Sequence, residues 1–107
     1  MAVYLIQGSY AATSVGAMIK NPQDRSAVVR SMIEKAGGKL HGFWFALGEF
    51  DFVAVAEAPD NVSVAAIAMA VGATGSLSAY RTTPLMTTAE SVEAMRKAGG
   101  TGYQPPR

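Results

Sequence analysis

The chain has 107 residues, no cysteine, a net charge of +1, and 50% hydrophobic against 16% charged residues. That length holds one domain. The missing thiols exclude a disulfide scaffold, a thiol nucleophile and a thiolate metal site, and the near-neutral charge gives no reason to expect nucleic acid, an anionic membrane surface or a polyanionic substrate.

From the amino terminus, AVYLIQG (2–8) is β-rich, short and bounded by Gly8, a buried first strand. The leading MAVYLIQGSY has neither a basic leader nor a cleavage pattern, so a cytoplasmic location is expected. A helical stretch follows from Thr13 to Lys20. Asn21-Pro22 then reads as the cap and first position of a second helix, with Asp24 favourable in its first turn. Arg25, Val28, Val29, Met32, Ile33 and Ala36 share one face of that helix, and Gly37-Gly38 ends it.

Two strands, 39–46 and 50–57, are joined by Leu47-Gly48-Glu49 as a hairpin. Asp60 or Asn61 caps an Ala-rich helix running to about Ala73. Its longest apolar run, 62–71, falls well short of the roughly 20 residues needed to span a bilayer, so no membrane partner is expected. SLSAYRTTPLM supplies a fourth strand stopped by Pro84. Thr87 and Glu90 form the two ends of a capping box at the head of a last helix, and GGTGYQPPR is an extended tail. The expected organisation is a domain over 1–86, a C-terminal helix over 87–98 and a tail over 99–107. The order β-α-β-β-α-β is the ferredoxin-like α+β pattern, an antiparallel sheet with its two main helices on one face.

The hairpin region GGKLHGFWFALGEFDFVAVAEAPD (37–60) holds the single Trp, the single His, all four Phe and four carboxylates. Strict alternation puts Lys39, His41, Phe43 and Phe45 on one face and Leu40, Gly42, Trp44 and Ala46 on the other. With Ala46 opposite Phe50, Trp44 meets Phe52 and Phe43 meets Val53, while Phe45 faces Asp51. Both faces are then apolar. Leaving one in water costs about 25 cal/mol per Å² of uncovered apolar surface. The simplest remedy is a second copy placed sheet to sheet, so the expected partner is the chain itself, as a homo-oligomer.

This block resembles the GYD domain family, small prokaryotic proteins named for a Gly and a Tyr-Asp pair at the hairpin. The likeness extends through "EAPD", the Ala-rich helix and "LSAYRTTPL", roughly residues 2–86. The motif positions are Gly48, Phe50 and Asp51, and Phe50 departs from the family Tyr, so no role of a hydroxyl there operates in this chain. The resemblance implies a ferredoxin-like sandwich of the dimeric α/β-barrel type. It implies no established reaction, since architectural relatives range from isomerases and cofactor-free oxygenases to non-catalytic proteins.

His41 and Asp51 are the candidate acid–base pair, expected on one face of adjacent strands. The plainer reading makes His41 a surface hairpin residue and Asp51 an anchor of the Gly48 turn. Phe43, Trp44 and Phe45 are candidates to line a ligand cleft, or equally to form core or interface. Tyr10 and Arg81 fall on strands that neighbour one another in the ferredoxin order. A mid-strand Arg81 needs a partner, whether an anionic ligand, Asp51 or an intersubunit acid. With one His and no Cys, neither a metal site nor a cofactor is expected. The leading expectation is a homo-oligomer binding a small aromatic or apolar molecule, with any chemistry being cofactor-free proton transfer or oxygenation. The alternative is a non-catalytic self-assembly module.

Overall fold

The computed structural model describes residues 1–106. Its elements in chain order are β1 (Ala2–Tyr10), α1 (Ala12–Lys20), α2 (Ser26–Lys35), β2 (Lys39–Phe45), β3 (Phe52–Ala58), α3 (Asn61–Ala73), β4 (Leu77–Leu85) and α4 (Thr88–Gly99). The four strands form one sheet in the order β2-β3-β1-β4, with every neighbouring pair antiparallel. This is a ferredoxin-like α+β fold.

Local chemistry explains most boundaries. Asp60 caps α3 by accepting the Ser63 amide at 2.8 Å. Thr87 and Glu90 close both bonds of their capping box at 3.0 and 2.9 Å. Gly37, at φ 85°, turns the chain out of α2 in a conformation that other residues rarely adopt.

Two boundaries differ from expectation. Asn21 closes α1, its amide donating to the Ala17 carbonyl at 2.9 Å, and is not the head of α2. The start signal of α2 is instead Asp24, whose carboxylate accepts the Ser26 amide at 2.8 Å. Pro84 does not stop β4 either: it sits inside the strand opposite Tyr4, tolerated because β4 is an edge strand.

The helix-facing side of the sheet carries Tyr4, Ile6 and Gly8 from β1 and Phe52, Ala54, Ala56 and Ala58 from β3, all buried. Small alanines on β3 let helices lie close. Ile33 of α2 and Val64 and Ile67 of α3 complete the core from above, and the Tyr4 hydroxyl donates to Asn61 at the head of α3 at 2.7 Å. None of the open-face positions, Val3, Leu5, Gln7, Val53 and Val55 among them, is buried.

The principal correction lies in β2. Lys39 pairs with Glu57 and Leu40 with Ala56, but Gly42 pairs with Val55, Trp44 with Val53 and Phe45 with Phe52. The register shifts between Leu40 and Gly42, so His41 is the extra residue of a β-bulge. One inserted residue reverses which face every later side chain takes. Phe43 and Phe45 therefore join Leu40 on the helix side, and Trp44 goes to the open face. The hairpin connection is also longer than expected, with the Ala46 amide donating to the Asp51 carbonyl at 2.8 Å.

The helix α4 stands off the rest. None of its residues is buried and it forms no extended packing against another element. The radius of gyration is 17.3 Å, where a compact domain of this length has about 13 Å.

Candidate functional site: an apolar cleft between two helices and the sheet

Because α2 packs over β2 while α3 packs over β3 and β4, a gap opens between the two helices above the middle of the sheet. It forms a cavity of about 280 Å³. Met32 and Val29 of α2 wall one side, Ile67 and Val71 of α3 the other, and Phe43, Phe52 and Ile6 make the floor. Tyr10, Tyr80, Arg25, Thr74 and Ser76 bring the polar groups.

The floor is a connected aromatic row. Phe43 stacks on Phe52 at 5.5 Å between centroids, Phe52 meets Tyr10 at 5.4 Å, and Tyr10 stacks on Phe45 at 5.8 Å. The Phe52 ring lies across Gly8, where a Cβ would stand 2.5 Å from it. Gly8 is thus what allows Phe52 to lie flat as the cleft floor.

Burial pushes the Tyr10 phenol above its ordinary value of 10.0; Arg25 opposes that shift and Asp51 adds to it. Burial likewise raises Tyr80, with the nearby Thr82 hydroxyl opposing. Thr82 itself stays short of bonding geometry, and its Oγ1 is buried without a partner. Both phenols are therefore protonated near neutral pH and act there as hydrogen-bond donors, not bases.

Of the residues singled out from sequence, the structure brings Tyr10 and Phe43 into the cleft. Phe45 stacks on Tyr10 but lines a shallower adjoining hollow with Asp51 and with Val15, Met18 and Ile19 of α1. Trp44 and Arg81 are on the opposite face. Trp44 is 55% exposed and lies over Gly42, and Arg81, opposite Gln7, sets its guanidinium 5.8 Å from the Phe50 ring. Of the partners considered for Arg81, Asp51 is not the one it meets within the chain, where the guanidinium makes this cation–π contact.

His41 and Asp51 do not face each other. The bulge directs His41 to Glu57, with Nε2 2.9 Å from the carboxylate, on the open side. Asp51 accepts the Tyr10 amide at 2.9 Å on the helix side, and its own amide donates to the Gly8 carbonyl at 2.8 Å. Among the described residues no three His, Cys, Asp or Glu side chains converge as metal ligands. Among the described residues no helix is long and apolar enough to cross a membrane.

Sequence reasoning missed Tyr80 and Arg25 as cleft residues. The signal for Arg25 was present: it is the one charged member of the otherwise apolar stripe along α2. The family model for the GYD domain matches residues 4–95. The chain belongs to the GYD domain family. No curated protein and no solved structure matches it. The matched span of this GYD protein takes in every element that builds the cleft, and continues into α4.

Proposed function

We propose that this GYD protein is a homo-oligomer that binds a small aromatic or apolar molecule in the cleft between α2, α3 and the sheet. The observation that carries the reading is the cavity itself: apolar walls, a stacked aromatic floor and a few polar groups among them. Its volume of about 280 Å³ falls just below the usual range of ligand pockets, which starts at about 300 Å³, so the molecule it takes is small. The reading is of binding more than of acid–base catalysis, since the cleft phenols hold their protons and His41 lies on the other face.

The open sheet face supports the oligomer. It presents Leu5, Val53, Val55, Trp44 and Leu85 with no helix of its own chain above them, and a second copy placed sheet to sheet would cover them in a dimeric α/β-barrel arrangement. The projecting α4 supports it too. Isolated helices of this length are marginal in water, and Val92 and Met95 find no cover within the chain.

The test is titration with indole, a neutral planar probe, followed by backbone amide shifts. Changes centred on Phe43, Phe52, Ile67 and Tyr80, lost when Ala70→Trp fills the rim, support the reading. Changes confined to the open face sink it.

One observation favours a second reading, in which self-assembly is the whole function. Helix α3 is apolar all round, with Val62 and Met69 pointing outward at 79% and 74% exposure. A chain that assembles through this surface and the open sheet face, with no response of the cleft to indole, would be an assembly module.

A further inference from the structure

Building on the cleft as a small-molecule site, we propose that its ligand is an aromatic monocarboxylate whose carboxylate is received by Arg25 at the mouth.

Arg25 is the only charged residue among the cleft linings. It is half-buried at the head of α2, and its guanidinium makes one hydrogen bond, from Nη1 to the neutral Gln23 side chain at 3.0 Å. Among the described residues no carboxylate pairs with it. Two acids of its neighbourhood hold backbone amides and form no ion pair with it: Asp24 holds the Ser26 amide at 2.8 Å and Asp51 the Tyr10 amide at 2.9 Å. A guanidinium set against apolar walls has shed part of its hydration without gaining a counter-charge. Its remaining N–H donors form the planar fork that suits a carboxylate.

The Tyr10 hydroxyl points to the same ligand. Among the described residues it has no hydrogen-bond partner, it lies within the electrostatic reach of Arg25, and it keeps its proton at neutral pH. A cation and a phenolic donor thus line a cavity whose other walls are mostly apolar and aromatic, with Thr74, Ser76 and Tyr80 as its further polar residues. One positive charge matches a monoanion. The Phe43–Phe52–Tyr10 floor matches a planar ring body.

The experiment compares 2-naphthoate with 2-naphthamide, which share the ring body and differ in head-group charge. Each is titrated into the intact chain as wild type, Arg25→Gln, Arg25→Lys and Ala70→Trp, with amide shifts reporting place and affinity. The expected result is naphthoate binding about tenfold tighter than the amide, the size of one charge-assisted pair at a half-exposed site. Arg25→Gln erases the preference by weakening naphthoate, Arg25→Lys keeps part of it, and Ala70→Trp removes both ligands. Equal affinities in the wild type, both lost in Ala70→Trp, overturn the carboxylate assignment while the cleft reading stands. Absence of shifts at the cleft for both compounds overturns the two together.

Discussion

The Asp51 carboxylate accepts the backbone amide of Tyr10 at 2.9 Å, tying the hairpin loop to the end of the first strand across 41 positions of sequence. The amide of Asp51 returns a bond to the Gly8 carbonyl, so a single residue holds β1 from two sides. Asp51 therefore positions the Tyr10 end of the cleft. Removing it strands a part-buried N–H. Asp51→Ala is expected to lower unfolding free energy by about 1–2 kcal/mol, while Asp51→Asn, which keeps an acceptor, costs clearly less. Urea denaturation of the two variants checks this; equal losses would mean that the bond contributes nothing beyond the charge.

Gly8 and Phe52 occupy one space. A methyl at Gly8 meets ring atoms 2.5 and 2.6 Å away, with the Ala79 carbonyl 3.1 Å on another side. Gly8→Ala is expected to destabilise by about 1–3 kcal/mol, the usual range for overpacking a core. The same change tilts Phe52 and breaks the aromatic floor, so amide shifts should move at Phe43 and Tyr10. Stability and shifts left at wild-type values would refute the close packing.

The tyrosines set a high-pH limit. Burial raises Tyr10 and Tyr80 above 10.0, so the folded chain holds these protons more tightly than the unfolded one. The stability they contribute is complete below the ordinary tyrosine value and is lost as pH rises through the raised values. Near-ultraviolet absorbance titration should show a late-ionising phase, and that phase should shrink in the Tyr10→Phe/Tyr80→Phe double variant. All tyrosines titrating together near 10 would contradict the buried floor.

His41 and Glu57 form a surface pair, 41% and 28% exposed at their side chains. Such pairs contribute little once water screens them, at most about 0.5 kcal/mol here. His41→Ala should therefore leave stability nearly unchanged and leave indole binding untouched. A binding loss in that variant would place the ligand on the open face, against the cleft.

Helix α4 offers the cleanest handle on assembly. Val92 is 41% and Met95 67% exposed along a helix that touches little of its own chain. For the proposed homo-oligomer, Val92→Asp with Met95→Asp is expected to lower the sedimenting mass or raise the dissociation constant, with the fold of residues 2–85 intact by amide shifts. An unchanged mass across the concentration range would remove α4 from the interface.

The sequence by itself determined the order of elements and the ends ruled by near neighbours. Asp60, one of two candidates with Asn61, heads α3, Thr87 and Glu90 box α4, and Gly37 releases α2, because a cap is a contact between residues three or four apart. The sharing of Asn21 and Asp24 between two helix ends was less legible, since both residue types cap and turn equally well. The face taken by the hairpin aromatics was not legible at all. In LHGFWF (40–45) either alternation is apolar, and only pairing with β3 reveals that His41 is the extra residue. That one bulge sends Phe43 to the cleft and Trp44 to the outside, and hands His41 to Glu57 in place of Asp51. The cleft, too, belongs to the tertiary structure: Arg25, Tyr10 and Tyr80 come from separate elements, and their meeting depends on the spacing of α2 and α3 over the sheet.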